Sequence, residues 1–170
     1  MKQAVEQSSN SLQIYELNIN NADKGLIDDE SLSNRINQFQ QANLNLLVTC
    51  KSYFVDKAKL LPNCTFILGY DTFIRVVDLK YYQHSMDEYI KILQIFRDNH
   101  TNFLVGGRLN TNTQLFEELN EQIIVERVPE AFRDMFEPLH EFRKDISSTE
   151  LRQKQKQDLK VEEEEQQNNN

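Results

Sequence analysis

The clearest group of residues that could do chemistry lies near the C-terminus, where three hydroxyl residues precede an arginine. Ser147, Ser148 and Thr149 stand at the expected start of a helix, and Arg152 follows one turn into it. A helix N-terminus offers unpaired N–H groups and a positive dipole end, so hydroxyls there can help to hold phosphate oxygens. Arg152 would add a forked cationic donor. The spacing of Ser147 and Glu150 is also that of a capping box, which needs no ligand, so the segment alone leaves both interpretations open.

Five further candidates for nucleotide binding follow runs of residues that predict strands. Gly69 ends the apolar run TFILG and Asp71 follows it. Glycine permits a close backbone approach, and a carboxylate there can accept hydrogen bonds from a ribose. Gly107 and Arg108 end the run beginning NFLVG, and Lys24 follows the first predicted strand, so both cations could meet phosphate. Taken singly, Asp71 is better explained as a helix cap, and the two cations as solvated loop charges.

Strand-like apolar runs alternate with segments of helical periodicity. The strand-like runs lie at 13–18, 44–50, 65–69 and 102–107 with a last strand near 139–142, and the helical segments lie at 28–41, 53–60, 71–77 and 86–99. This alternation predicts an α/β fold in which a parallel sheet has helices on both faces. Such sheets bind ligands at the carboxyl ends of their strands, and the candidate residues gather at that edge.

Length and composition narrow the class of protein. The 170 residues suit one domain, which we expect at 1–152, and the charged, amide-rich residues 153–170 predict a disordered acidic tail. The net charge of −8 argues against binding to DNA or RNA, because that affinity comes from cations that neutralise phosphates. Without a signal peptide or a long apolar run, we expect a soluble cytoplasmic protein, with the nucleus as alternative. Cys50 and Cys64 lack the spacing of a metal site, so no protein-bound metal is expected.

The sequence also resembles a known family. ISSTELR at 146–152 is similar to the ISSTxxR signature of the nucleotidyltransferase superfamily, which includes the nicotinamide-nucleotide adenylyltransferases. More closely, the sequence resembles the eukaryotic cytidylyltransferase-like group, which includes fungal nicotinamide mononucleotide adenylyltransferases. The similar blocks are YELNINNADKGLID, FILGYDTFIRVVDLKYY, FLVGGR and VPEAFRDMFEPLHEFRKDISSTELR. They occur in the family's order from residue 15 to residue 152.

The resemblance implies a Rossmann-like three-layer sandwich that joins a mononucleotide to a nucleoside triphosphate and releases pyrophosphate. The implied substrates are nicotinamide mononucleotide and ATP, with Mg²⁺ arriving on the ATP. Transfer of CMP to another phosphorylated acceptor and a non-catalytic nucleotide-binding remnant remain the alternatives. In such enzymes the ISST hydroxyls and the following arginine hold the triphosphate, so the hydroxyls at 147–149 and Arg152 would do so here. Gly69 and Asp71 would contact the nucleotide.

One signature of this superfamily, HxGH in a loop after the first strand, is missing. The only histidines are His84, His100 and His140, and none has that spacing, so the catalytic residues stay unassigned. In relatives the block resembling YELNINNADK follows HxGH by about one helix. The resemblance therefore predicts a chain that begins one strand and one loop late, as in a truncated gene model, with a genuinely shortened protein as the alternative. Loss of a central strand would expose strand edges, so we expect association with other copies and little activity.

Overall fold

The computed structural model describes residues 12–21, 25–110 and 113–139. The strands are β1 (Tyr15–Asn18), β2 (Asn20–Asn21), β3 (Gly25–Leu26), β4 (Leu46–Thr49), β5 (Thr65–Gly69), β6 (Asn102–Gly106), β7 (Arg108–Leu109), β8 (Phe116–Glu117) and β9 (Phe136–Pro138). The α-helices are α1 (Asp29–Gln41), α2 (Phe54–Leu60), α3 (Tyr70–Val76), α4 (Met86–Asp98) and α5 (Glu121–Arg127). Short 3₁₀ helices at Leu79–Tyr82 and Glu130–Met135 follow α3 and α5. This alternation of strands and helices confirms the predicted α/β class.

The parallel strands form two groups. β1 pairs with β4 in parallel, and β6 pairs in parallel with β5 on one side and β9 on the other. Two short pairs, β2 with β3 and β7 with β8, are antiparallel. Within the described ranges no backbone ladder joins β1–β4 to β5–β6–β9, so the single sheet that the alternation suggested is divided in two.

Helix α2 connects the two groups through side chains. Lys57 Nζ lies 2.9 Å from Glu16 Oε2 on β1. One turn earlier on α2, the ring of Phe54 meets the ring of Phe66 on β5 edge-on at 5.5 Å. Because a single turn of one helix reaches both strands, β1 and β5 are neighbours in space although they share no ladder. Each of them presents a backbone edge that no described strand pairs with.

The main core lies against the three-stranded sheet. Four of the five residues of β6 are buried, and Phe103 is fully covered. Its ring stacks on Phe136 of β9 with centroids 4.9 Å apart and meets Phe96 of α4 edge-on at 5.1 Å. Helix α4 buries Tyr89, Leu93 and Phe96, whose i, i+4, i+7 spacing places them on one face. This sheet and α4 therefore form the rigid base for the strand ends of β5 and β6.

The two-stranded sheet is covered more thinly. Helix α1 begins where Asp28 Oδ1 accepts the N–H of Ser31 at 2.7 Å, and none of its residues is buried. It packs on β1 through Phe39 and Tyr15, whose ring centroids are 5.2 Å apart. In β4 only Thr49 is buried. Little apolar surface is therefore removed from water on this side of the molecule.

The last strand that the structure describes, β9, runs from Phe136 to Pro138. The strand expected near 139–142 falls almost entirely outside the described residues and stays a prediction. β9 can end in Pro138 because it is at the edge of its sheet, where the missing N–H of a proline is tolerated. Residues 140–170, including ISSTELR and the predicted tail at 153–170, lie outside the described residues. A search of the described helices finds none with the length and apolar character needed to cross a membrane.

Candidate functional site

The structure places four of the nine residues predicted for nucleotide or triphosphate binding. Gly69 ends β5 and is the N-cap of α3, and Asp71 lies in the first turn of that helix. Gly107 and Arg108 follow β6 and begin the β7–β8 hairpin. The other five predicted residues, which lie outside the described ranges, are Lys24, Ser147, Ser148, Thr149 and Arg152.

The four described candidates come together at the carboxyl ends of β5 and β6. Gly69 lies opposite Gly106 in the parallel ladder, so the two strands end at the same level. Arg108 Nη1 donates a hydrogen bond to Asp71 Oδ2. Both side chains face solvent, with 40% and 55% of their surface exposed, so the ion pair contributes at most about 1 kcal/mol to stability. The two residues that were separate candidates are therefore partners of one another.

The interpretation of Asp71 as a helix cap is wrong. Helix α3 begins at Tyr70, one residue earlier than expected, and its N-cap Gly69 makes no side-chain capping bond. Asp71 is instead in the first turn, where the helix dipole favours a carboxylate. Beside it, a Cβ built on Gly69 would meet no atom within 4 Å. The backbone at Gly69 is therefore open to a ligand.

Gly107, predicted as a nucleotide-binding residue, has a packing role in the structure. A Cβ at this position would lie 2.6 Å from the ring of Phe116 and 3.0 Å from the carbonyl oxygen of Glu117. The absence of a side chain lets β8 fold back closely over the end of β6. Gly107 thus shapes the hairpin that carries Arg108, while Gly69 leaves open space.

Glu117 is a site residue that the sequence reasoning missed. It is the cross-strand partner of Arg108 in β7–β8, and its Oε2 lies 3.6 Å from Arg108 Nε. Asn110 Nδ2 donates to Glu117 Oε1 at 2.8 Å. The sequence signal that could have found it is a pair of short segments, RL at 108–109 and FE at 116–117, on either side of a polar stretch. Burial, and next the charge of Glu117, raise the pKa of Tyr70, so its hydroxyl stays protonated at neutral pH.

A cavity of about 460 Å³ is lined by Thr72, the residue after Asp71, but not by Asp71, Arg108 or Glu117 themselves. Asn18 at the end of β1, Ser52 after β4 and Thr72 in α3 line it, so three strands deliver residues to it from their carboxyl ends. The other lining residues are Tyr53, Phe54, Val55, Lys57, Arg75, Val76, Tyr81, Tyr82, Ile92 and Phe96. This size and this mixture of aromatic and polar groups are typical of a small-molecule site.

Several polar side chains that line the cavity donate hydrogen bonds to nearby backbone carbonyls. Ser52 Oγ donates to the carbonyl of Asn20 at 2.6 Å, and Tyr82 Oη donates to the carbonyl of Val76 at 2.5 Å. Burial raises the pKa of Tyr82 to about 12, so it remains a neutral donor. Tyr53, in contrast, is 59% exposed, so its ring is available to a planar ligand. Tyr81 is 43% exposed, but Lys80 Nζ lies over its ring, 4.9 Å from the centroid.

No resident metal site is apparent in the part of the chain that the structure describes, where no group of three or more histidine, cysteine, aspartate or glutamate residues could hold an ion. Magnesium bound with a nucleotide has different needs, because phosphates and waters supply most of its ligands and the protein adds one or two carboxylates. Asp71 and Glu117 are carboxylates near the carboxyl ends of β5 and β6. This donor set fits an ion that arrives on the nucleotide.

Comparison of the chain with models of known protein families, with curated proteins and with solved structures finds no match.

Proposed function

We propose that this chain is the nucleotide-binding part of a nucleotidyltransferase that joins nicotinamide mononucleotide to ATP, forming NAD and pyrophosphate. The observation that carries the proposal is the convergence of Asp71 and Arg108 at the carboxyl ends of two parallel strands. The helix that carries Asp71 also supplies Thr72 to a cavity of about 460 Å³. In α/β sheets this edge is the usual ligand site. The family resemblance supplies the reaction type.

The course of the chain after β9 supports a triphosphate site at the same edge. β9 runs parallel to β6, and the N–H of Leu139 donates to the carbonyl of Val105 at 2.9 Å. Leu139, the last described residue, therefore lies beside the end of β6, and seven residues separate it from Ser147. A path of this length lets the hydroxyls at 147–149 and Arg152 return to the strand ends.

In this proposal the protein acts by positioning and by charge. Asp71 and the open backbone at Gly69 would hold the nucleoside, and Arg108 and Arg152 would neutralise the triphosphate. The cavity would hold the acceptor so that its phosphate oxygen attacks the α-phosphorus in line. The bond between the α- and β-phosphates breaks, and pyrophosphate leaves. Magnesium bound with ATP would neutralise the charge that builds on pyrophosphate.

The activity of the chain depends, in this proposal, on how the β1–β4 group and the β5–β6–β9 group are joined. Each of the two strands β1 and β5 has an edge that no strand in the described ranges pairs with, and one parallel strand between them would join the two groups into a single sheet. That position suits the first strand of the family's fold, with the HxGH loop at its carboxyl end. We propose that full activity requires this strand and loop.

Nucleotide binding by the 170-residue chain tests the proposal. We expect Arg152→Ala to weaken ATP binding at least about tenfold, because charge-assisted hydrogen bonds to phosphate are lost. Arg35→Ala is the matched control, since it removes the same charge from the exposed surface of α1. Isothermal titration calorimetry measures both. Equal affinities of the two variants would contradict the proposed triphosphate site.

Activity assays distinguish the alternatives within the family. In a variant extended at its N-terminus by the family's first strand and HxGH loop, we expect synthesis of NAD from nicotinamide mononucleotide and ATP, measured by chromatography of the products. A preference for CTP and another phosphorylated acceptor would indicate a cytidylyltransferase.

A non-catalytic nucleotide-binding protein is the second candidate, and the positions of the two histidines that the structure describes favour it. His84 follows the first 3₁₀ helix, and His100 precedes the amino end of β6. Neither lines the cavity. This candidate predicts that ATP binds and that no turnover occurs even in the variant extended by the strand and HxGH loop.

A further inference from the structure

We propose that Glu117 is a positioning residue that holds Arg108 and lowers its affinity for an anionic ligand by competing with that ligand. The proposal rests on the proposed function, in which Arg108 meets a phosphate group. It adds that a carboxylate on a neighbouring strand lowers the affinity of Arg108 for that phosphate group.

The hairpin fixes Glu117 beside Arg108. The two residues face each other across β7 and β8, and Asn110 holds one carboxylate oxygen of Glu117 at 2.8 Å. Gly107 allows this close return, since any side chain there would collide with Phe116. The position of the Glu117 carboxylate is therefore set by the backbone and by Asn110, and does not depend on a bond to Arg108.

Arg108 is attracted by two carboxylates but incompletely bonded. One terminal nitrogen, Nη1, donates to Asp71. Its Nε lies 3.6 Å from Glu117 Oε2, beyond hydrogen-bonding distance, and is a buried donor with no hydrogen-bond partner among the described residues. Glu117 thus acts on Arg108 mainly through its charge. A buried donor without a partner costs free energy.

The local charge opposes the approach of an anion. Asp71 and Glu117 carry two negative charges against the single positive charge of Arg108. A phosphate that reaches Arg108 must therefore compete with both carboxylates. Without the charge of Glu117, the charges of Asp71 and Arg108 would cancel. The incoming anion would then bind more favourably.

Inorganic tripolyphosphate is the probe, because it presents phosphate without a base or ribose. We expect Glu117→Gln to bind it about three- to tenfold more tightly than the unmodified chain, with the gain shrinking as salt increases. Glutamine keeps the size of the side chain and an oxygen for Asn110. Glu118→Gln is the matched control, because Glu118 is the next residue, is exposed and carries the same charge. We expect it to bind as the unmodified chain does.

The double variant Arg108→Ala with Glu117→Gln separates competition from a structural role. Competition predicts that the gain disappears in the double variant, while thermal unfolding of Glu117→Gln remains close to that of the unmodified chain. Unchanged or weaker binding by Glu117→Gln, or no binding of tripolyphosphate by any variant, would overturn the inference. Tighter tripolyphosphate binding without any affinity for ATP or CTP would instead support the role of Glu117 and contradict the proposed function.

Discussion

The two groups of parallel strands differ in how they are stabilised. Around β5–β6–β9 the chain buries a continuous cluster of aromatic rings against α4. Around β1–β4 the contacting helix buries no residue completely, and Ile14, Leu44 and Val48 remain exposed. Both groups nevertheless deliver residues to one cavity from their carboxyl ends. The comparison indicates that the well-packed group supports the site, and that the thin group depends on contacts across the division.

Truncation of a ring in each group should give the largest contrast. Phe103→Ala removes a fully buried ring that four other rings contact, so we expect a loss of about 3–5 kcal/mol in the free energy of unfolding. Phe39→Ala removes a partly buried ring that contacts, among the ring pairs described, only Tyr15, at a tilted angle, and we expect less than half of that loss. Urea denaturation followed by circular dichroism measures both. Equal losses would show that the groups are equally packed.

Much of this contrast could be predicted from sequence, because the hydrophobic period of a long segment indicates which of its residues are buried. The i, i+3, i+4, i+7 pattern at 86–99 matches Met86–Asp98, and the run at 65–69 is β5. The α/β class follows from the same patterns. Short elements with little periodicity were missed, among them the β7–β8 hairpin and α5.

The candidate site was only partly predictable. Asp71 and Arg108 were found because polar residues after buried strands share one sheet edge. Their mutual hydrogen bond was not predicted, since it depends on the in-register ends of β5 and β6. Glu117 reaches the site through a hairpin that Gly107 permits, which is a tertiary contact without a local pattern.

The contact between the two groups through Lys57 should have an intermediate effect. Its side chain is 8% exposed, and Nζ lies 2.9 Å from Glu16 Oε2. Lys57→Met leaves Glu16 without its cation, so we expect a loss of about 2 kcal/mol, below the value for a fully buried pair because Glu16 is partly exposed. Lys59→Met is the control, as Lys59 lies on the same helix and is exposed. Similar unfolding midpoints for the two variants would mean that α2 does not join the groups through this pair.

The two glycines at the ends of β5 and β6 should show the smallest and most local effects. Gly107→Ala forces Phe116 and β8 to move, so we expect a loss of about 1–2 kcal/mol from overpacking. Gly69→Ala adds a methyl group to open space at a φ of −77°, so its stability should stay within about 0.5 kcal/mol of the unmodified chain. If a nucleotide approaches the backbone at Gly69, the same methyl group should still weaken ATP binding. Thermal unfolding together with ATP titration separates the effect on stability from the effect on binding. A stable Gly69→Ala variant that binds ATP normally would show that Gly69 is not part of the site. Asp71 and Arg108 would then be the described residues of the site.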